Sequence, residues 1–196
     1  MMQRSVQSSQ LLKIIIFSLL GTISFLLFLI QFPLPALPGY LKVDFGDIPA
    51  LLAGLIFSPL AGVIVIAIKN VLYLLIGSGG PVGVLANFIA ASLFVLPVSI
   101  FYHRSKTIKS IVSGLITGTI IMAIGMSVLN YVVLLPIYAW FMGMEEMKIE
   151  SVKRFTVIFG ILPFNIIKGI IVGAFFVPVF VRMRTWVEQK QANVAS

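Results

Sequence analysis

Cysteine is missing from all 196 residues, histidine occurs once and only six residues are acidic. Without thiols there is no disulfide framework, no thiolate nucleophile and no cysteine metal site. One histidine and six acids leave little material for acid–base or metal chemistry. Charge of either sign is scarce: 10% of residues are charged, against about 25% in an ordinary soluble domain. That shortage excludes a soluble enzyme, because water is the wrong solvent for so apolar a surface.

What is abundant is hydrophobic residue, 60% of the chain, with a mean hydropathy of +1.13. Apolar runs of about 20 residues, enough to span a bilayer, recur along almost the whole length. The expectation is an all-α membrane protein forming a single integral-membrane domain over residues 1–196. The net charge of +8 does not indicate nucleic acid, because the basic residues do not form one patch. Arg4 and Lys13 lie near the N-terminus, Arg104, Lys106 and Lys109 in one loop, and Arg182, Arg184 and Lys190 near the C-terminus. Charges that flank apolar spans set membrane orientation. The first apolar run, 11–30, exceeds a signal-peptide core and lacks a clear small-residue cleavage site, so it reads as a retained span.

Spans are expected at about 11–31, 45–57, 60–76, 82–102, 111–142 and 155–181. The stretch 45–76 is too long for one ordinary span and is interrupted by Ser58-Pro59, since proline removes a helix hydrogen bond. One kinked helix or two short ones both fit that interruption. Charge decides for six spans, with helices 2 and 3 separate and short and both termini cytoplasmic. In that arrangement the inner segments hold most of the lysine and arginine, and Lys42, Lys148, Lys153 and Arg154 lie outside with most of the acids.

Polar side chains at membrane depth are costly and mark function by default. They are Lys69 and Asn70 in helix 3, Asn87 in helix 4, Asn130 in helix 5, and Asn165 and Lys168 in helix 6. At a rise of ~1.5 Å per residue, they gather in the outer half of the bilayer. A single asparagine of this kind more often only joins helices; the whole set at one level, with two lysines, points to a pocket open to the outside. Asn165 and Lys168 share a helix face. Donors and acceptors without an acid pair suit a neutral heterocycle better than a coupled proton.

Asp44 and Asp47 form a D-x-x-D spacing, a weak metal signal with no histidine or third carboxylate nearby. The plainer expectation is that Asp47 caps helix 2, with Pro49 in its first turn, and that Asp44 pairs with Lys42 or Lys69. The Gly77-Ser78-Gly79-Gly80-Pro81-Val82-Gly83 loop lacks the Lys-Ser/Thr ending of a P-loop. It reads as a tight turn whose glycines let the backbone approach a flat ligand. His103, beside Arg104, reads as a surface residue. In helix 1, Ser18, Gly21, Thr22 and Ser24 are small, which lets another helix approach, from this chain or from another subunit.

Taken together these segments resemble the riboflavin-specific S component of energy-coupling factor (ECF) transporters. The resemblance is carried by Phe32-Pro33-Leu34-Pro35, by Leu41-Lys42-Val43-Asp44-Phe45-Gly46-Asp47-Ile48-Pro49, by Ser58-Pro59 through Gly62, and by Lys69-Asn70. It continues through Pro81-Val82-Gly83 to Asn87, Asn130-Tyr131 to Pro136, and Gly160-Ile161-Leu162-Pro163-Phe164-Asn165 to Lys168-Gly169. Ser58 stands where the family often has glycine. The resemblance implies six helices, a riboflavin pocket near the outer face of the cell membrane, and a lid made by the loop after helix 1. It also implies docking onto a transmembrane coupling subunit and two ATPase subunits, with riboflavin as cargo and no cofactor. Carried over residue by residue, Asn130, Asn165 and Lys168 are the expected flavin contacts, with Gly83, Asn87, Leu41, Lys42 and Asp44 behind them. Ser18, Thr22 and Gly21 correspond to the docking face. The alternatives are an S component for another vitamin, a stand-alone secondary transporter that lacks the mid-membrane acids such proteins often use, and a membrane enzyme built on Asp44 and Asp47.

Overall fold

The computed structural model describes residues 2–76, 80–141, 143 and 145–195, with the side chains of 2–9, 188, 190 and 192–195 excepted. The Gly77–Gly79 part of the glycine loop and the side chains of Arg4 and Lys190 therefore lie outside the described residues.

Among the described residues the chain forms six helices. They are α1 (Met2–Leu29), α2 (Asp47–Ile56), α3 (Pro59–Ile76), α4 (Pro81–Ser105), α5 (Ile108–Phe141) and α6, which begins at Glu150 and ends at Ala195. Five of the described helices are long and apolar enough to cross a membrane; α2, with ten residues, is not. In the middle of the chain the helix ends fall within a few residues of the ends of the apolar runs. The outer helices run further than hydropathy alone indicates, because a helix does not stop where the lipid does.

Each break has a local cause. Ser58 Oγ accepts a hydrogen bond from the Ala61 N–H at 3.2 Å, so Ser58 caps α3 and Pro59 opens it, where proline's missing N–H costs nothing. The α4–α5 turn closes with Lys106 in the left-handed region and a Thr107/Ser110 capping box. The loop after α1 folds as a two-stranded hairpin, β1 (Phe32–Pro33) against β2 (Lys42–Val43), with Phe32 opposite Val43. No strand is anticipated from the sequence there. The hairpin turns the chain back into the bundle ahead of α2.

Helix α2 is enclosed by the other helices, with nine of its ten residues buried. Gly46, not Asp47, occupies its N-cap position, and Asp47 is its first residue. The expected capping role of Asp47 is therefore not what the structure shows: its carboxylate turns to two lysines instead. At the far end of α2, His103 Nε2 donates to the Gly54 carbonyl at 2.9 Å and Phe57 stacks edge-on to Phe17 at 5.1 Å. Gln191 Nε2 donates to the Leu55 carbonyl at 2.5 Å. These contacts gather the first part of α1 and the ends of α2, α4 and α6 at one end of the bundle.

In lipid, helices gain little from hydrophobic burial against one another and associate through close packing. The α4–α5 pair shows this at two glycines. A Cβ on Gly114 would lie 2.7 Å from the Val98 Cα, and one on Gly118 would lie 2.6 Å from the Phe94 carbonyl oxygen. Outward-facing Ile116, Ile120, Ile124 and Val128 of α5 are exposed, as a lipid-facing stripe should be.

Candidate functional site

The hairpin, α4, α5 and α6 enclose a cavity at the end of the bundle opposite the contacts around Gly54. Its walls include Leu41, Lys42, Gly83, Asn87, Asn130, Asn165 and Lys168, seven of the eight ligand-contact candidates. Asp44, the eighth, lies behind Lys168 and is 1% exposed. The cavity measures about 150 Å³ and adjoins a second of about 260 Å³, with Tyr40, Asn130 and Tyr138 in the walls of both.

Helix geometry explains the room. Gly83, Ala86, Asn87 and Ala90 line the cavity from α4; positions i, i+3, i+4 and i+7 share one helix face, and three of these four residues are small. On the opposite wall, α5 and α6 each contain a π-helical turn, Asn130–Leu134 and Thr156–Ile161. The Leu135 N–H donates to the Asn130 carbonyl, and the Leu162 N–H to the Val157 carbonyl. Pro136 and Pro163 follow directly, and a proline ring clashes with the carbonyl four residues back in a regular α-helix. The widened turns relieve that clash, and π-turns of this kind are frequent at functional sites.

The two asparagines of this wall each spend one amide N–H locally. Asn130 Nδ2 donates to the Met126 carbonyl at 2.7 Å, and Asn165 Nδ2 to the Ile161 carbonyl at 2.8 Å. Each retains its carbonyl oxygen, an acceptor, and the second N–H of its amide. Asn87 Oδ1 is buried with no hydrogen-bond partner among the described residues, a costly state unless something else occupies the site. The remaining wall is apolar, with Met126, Ile161 and Phe164. Burial, and then the neighbouring Tyr138, push the Tyr40 phenol above its ordinary value, so it remains a neutral donor and acceptor.

Beneath the amides lies a cluster of charge. Lys168 Nζ donates to Asp44 Oδ2 at 2.9 Å and stands 3.3 Å from Asp47 Oδ2. Lys69 Nζ donates to Asp47 Oδ1 at 2.8 Å, and all four residues are at least 97% buried. This corrects two expectations. An acid pair does accompany the lysines, and Asp44 takes Lys168 as its partner, with neither Lys42 nor Lys69 bridged to it among the described residues. The physical reason is the hairpin, which carries Asp44 and Asp47 back from the C-terminal end of α1 to the level of Ser24. There Ser24 Oγ donates to the Gly46 carbonyl. Both carboxylates are committed to lysines, and no group of three metal-ligating side chains occurs among the described residues.

The helix 1 candidates separate. Ser18 and Thr22 are exposed one turn apart, with Thr22 Oγ1 donating to the Ser18 carbonyl at 2.9 Å. Gly21 instead faces α3, where a Cβ would meet Ile68 Cγ2 at 2.4 Å. It serves packing within this chain and is absent from the outward face.

Tyr40, Tyr138, Met126 and Phe164 escape a reading based on polar residues. Met126 and Ile161 each precede a site asparagine by four residues, so helical spacing is the signal that finds them. The tyrosines have no comparable signal, because the hairpin brings Tyr40 to the site.

Acceptor oxygens, phenols and an ammonium set in apolar walls give the cavity the chemistry to match a molecule with apolar faces and polar edges. The family model described as "ECF transporter, substrate-specific component" matches residues 12–180. The chain belongs to this family. This S component is 46% identical to the riboflavin transporter FmnP of Bacillus subtilis, over 92% of this chain and 96% of that one. It is 40% identical to the riboflavin transporter RibU of Staphylococcus aureus, over 95% and 98% of the two chains. A solved structure described as the S component of a bacterial ECF transporter superposes with a TM-score of 0.78 at 42% identity, covering 91% of this chain and 98% of that one. The S component is thus a multi-pass membrane protein of a transport system and not an enzyme.

Proposed function

We propose that this S component captures riboflavin in the amide-lined cavity from the outer face of the cell membrane. It then delivers the vitamin inward with an ECF module made of a transmembrane coupling subunit and two ATPase subunits. The observation that carries the reading is the convergence of Asn87, Asn130, Asn165 and Lys168 from three helices on one cavity. Relatives named as riboflavin transporters, matching over nearly the full chain, support the choice of cargo. Isoalloxazine suits the site chemically. Its apolar faces match Met126, Ile161 and Phe164, worth about 25 cal/mol per Å² buried. Its carbonyls and ring N–H require donors and acceptors, and a buried group left unmatched costs about 1–3 kcal/mol.

In this reading the hairpin with Tyr40, Leu41 and Lys42 covers the bound flavin. Both termini are cytoplasmic, because Arg104, Lys106 and Lys109 in the α4–α5 turn share the end of the bundle reached by α6. The exposed Ser18/Thr22 face of α1 meets the coupling subunit. Titrating purified, ligand-free protein with riboflavin, FMN and thiamine tests the cargo. Saturable one-to-one riboflavin binding is expected; a folded sample that binds thiamine and no flavin would redirect the reading to another vitamin.

A further inference from the structure

Lys69 does not line the cavity, yet it is a fully buried lysine in a helix that crosses the membrane. An unpaired charge there is costly, and Lys69 meets its cost through Asp47, at 2.8 Å. Its ammonium also lies 5.2 Å above the Phe28 ring of α1. Its stem packs on Gly46, where a Cβ would come within 3.0 Å of Lys69 Cδ. So far this describes a structural ion pair. The second oxygen of Asp47 changes the picture, because Oδ2 stands 3.3 Å from Lys168 Nζ and has no hydrogen-bond partner among the described residues.

Lys168 therefore faces two carboxylates, one of which is shared. An ammonium has three N–H groups. The hydrogen bond to Asp44 engages one, the pull of Asp47 orients a second, and the third is left for the cavity that Lys168 lines. The cluster contains two lysines and two aspartates and is neutral as a set. Removing the Lys69 charge leaves Lys168 alone between two carboxylates in a low-dielectric interior, where such attraction is strong. Lys168 would be drawn toward them and away from the cavity.

We propose that Lys69 is a positioning residue for ligand binding: by holding one oxygen of Asp47 it balances the charge around Lys168 and keeps that ammonium turned to the cavity. The inference rests on the riboflavin reading of the cavity. It separates from a merely structural ion pair through charge compensation. If balance is what matters, removing both Asp47 and Lys69 charges leaves Lys168 and Asp44 paired one to one, and the double variant is better than either single one. If the pair only supports the fold, the single variants lower the thermal midpoint and the double variant restores it, while riboflavin affinity of the folded protein stays at the wild-type value throughout.

The test measures riboflavin affinity and thermal midpoint for wild type, Lys69→Met, Asp47→Asn and the Asp47→Asn/Lys69→Met double variant. Each single variant is expected to weaken riboflavin binding tenfold or more, and the double variant to return within threefold of wild type. Should one single variant not fold, the other and the double variant carry the same comparison. Wild-type affinity in the single variants, or a double variant as weak as they are, would overturn the role of Lys69 and leave the riboflavin site standing. A folded wild type that binds no riboflavin would overturn the reading of the cavity and the inference with it.

Discussion

The polar interior has two layers that meet the cost of burial in opposite ways. In the upper layer, Asn130 and Asn165 each give an amide donor to a carbonyl of their own helix and keep an acceptor in reserve. In the lower layer, Asp44, Asp47, Lys69 and Lys168 satisfy one another across the hairpin, α2, α3 and α6. The upper layer has spare hydrogen-bonding capacity, so it can recognise a ligand. The lower layer spends most of its capacity on joining elements, so it sets the geometry of the fold. Lys168 belongs to both, since it is paired below and lines the cavity above.

The sharpest way to break this division is to remove Lys168. Lys168→Met leaves two buried carboxylates with one lysine, and breaking a buried pair from one side costs about 3–5 kcal/mol. A large drop in thermal midpoint in detergent is expected, together with loss of riboflavin binding. An unchanged midpoint would show that the lower layer does not hold the fold.

The upper layer should behave differently. Asn130→Ala and Asn165→Ala remove ligand acceptors whose loss is worth about 1–3 kcal/mol, or roughly 5–150-fold in affinity. The thermal midpoint of the ligand-free protein should barely move. Titration and a melt on the same sample compare the two directly, and a fall in midpoint as large as that of Lys168→Met would erase the distinction.

A substitution away from both layers provides the converse. Gly118→Ala places a Cβ against the Phe94 carbonyl, and overpacking of this kind costs about 1–3 kcal/mol. It should lower the melting point and leave riboflavin affinity within a factor of two or three. The smallest effect on the isolated protein belongs to the exposed α1 face. Ser18→Leu should change neither stability, within about 0.5 kcal/mol, nor binding, while it reduces riboflavin uptake by cells that contain the ECF module. Normal uptake would remove Ser18 from the docking face.

These two layers were not equally legible in the sequence. The Ser58-Pro59 break and the convergence of asparagines follow from local rules, because hydropathy, proline chemistry and helical rise act over a few residues; the count of six helices needed the distribution of charge along the whole chain as well. Asn87, Asn130 and Asn165 could thus be placed at one level from their distance to helix ends. The charge layer could not, because it depends on the loop after α1 turning inward as a hairpin. That path moves Asp44 next to Lys168, a residue 124 positions away. The inward direction of Gly21 was hidden for a related reason: a small residue on α1 suits a partner subunit and Ile68 of α3 equally well. The π-turns before Pro136 and Pro163 were not anticipated, because hydropathy reads 111–142 and 155–181 as unbroken spans.

The central claim is that the amide-lined cavity at the hairpin end of the bundle is where riboflavin binds. The most direct measurement is a fluorescence titration of ligand-free protein with riboflavin, run side by side for wild type and Asn130→Ala with melting curves on both. One-to-one saturable binding by wild type, weakened at least about fivefold by Asn130→Ala at an unchanged midpoint, is the predicted result. Equal affinity in the two proteins would place the flavin elsewhere and contradict it.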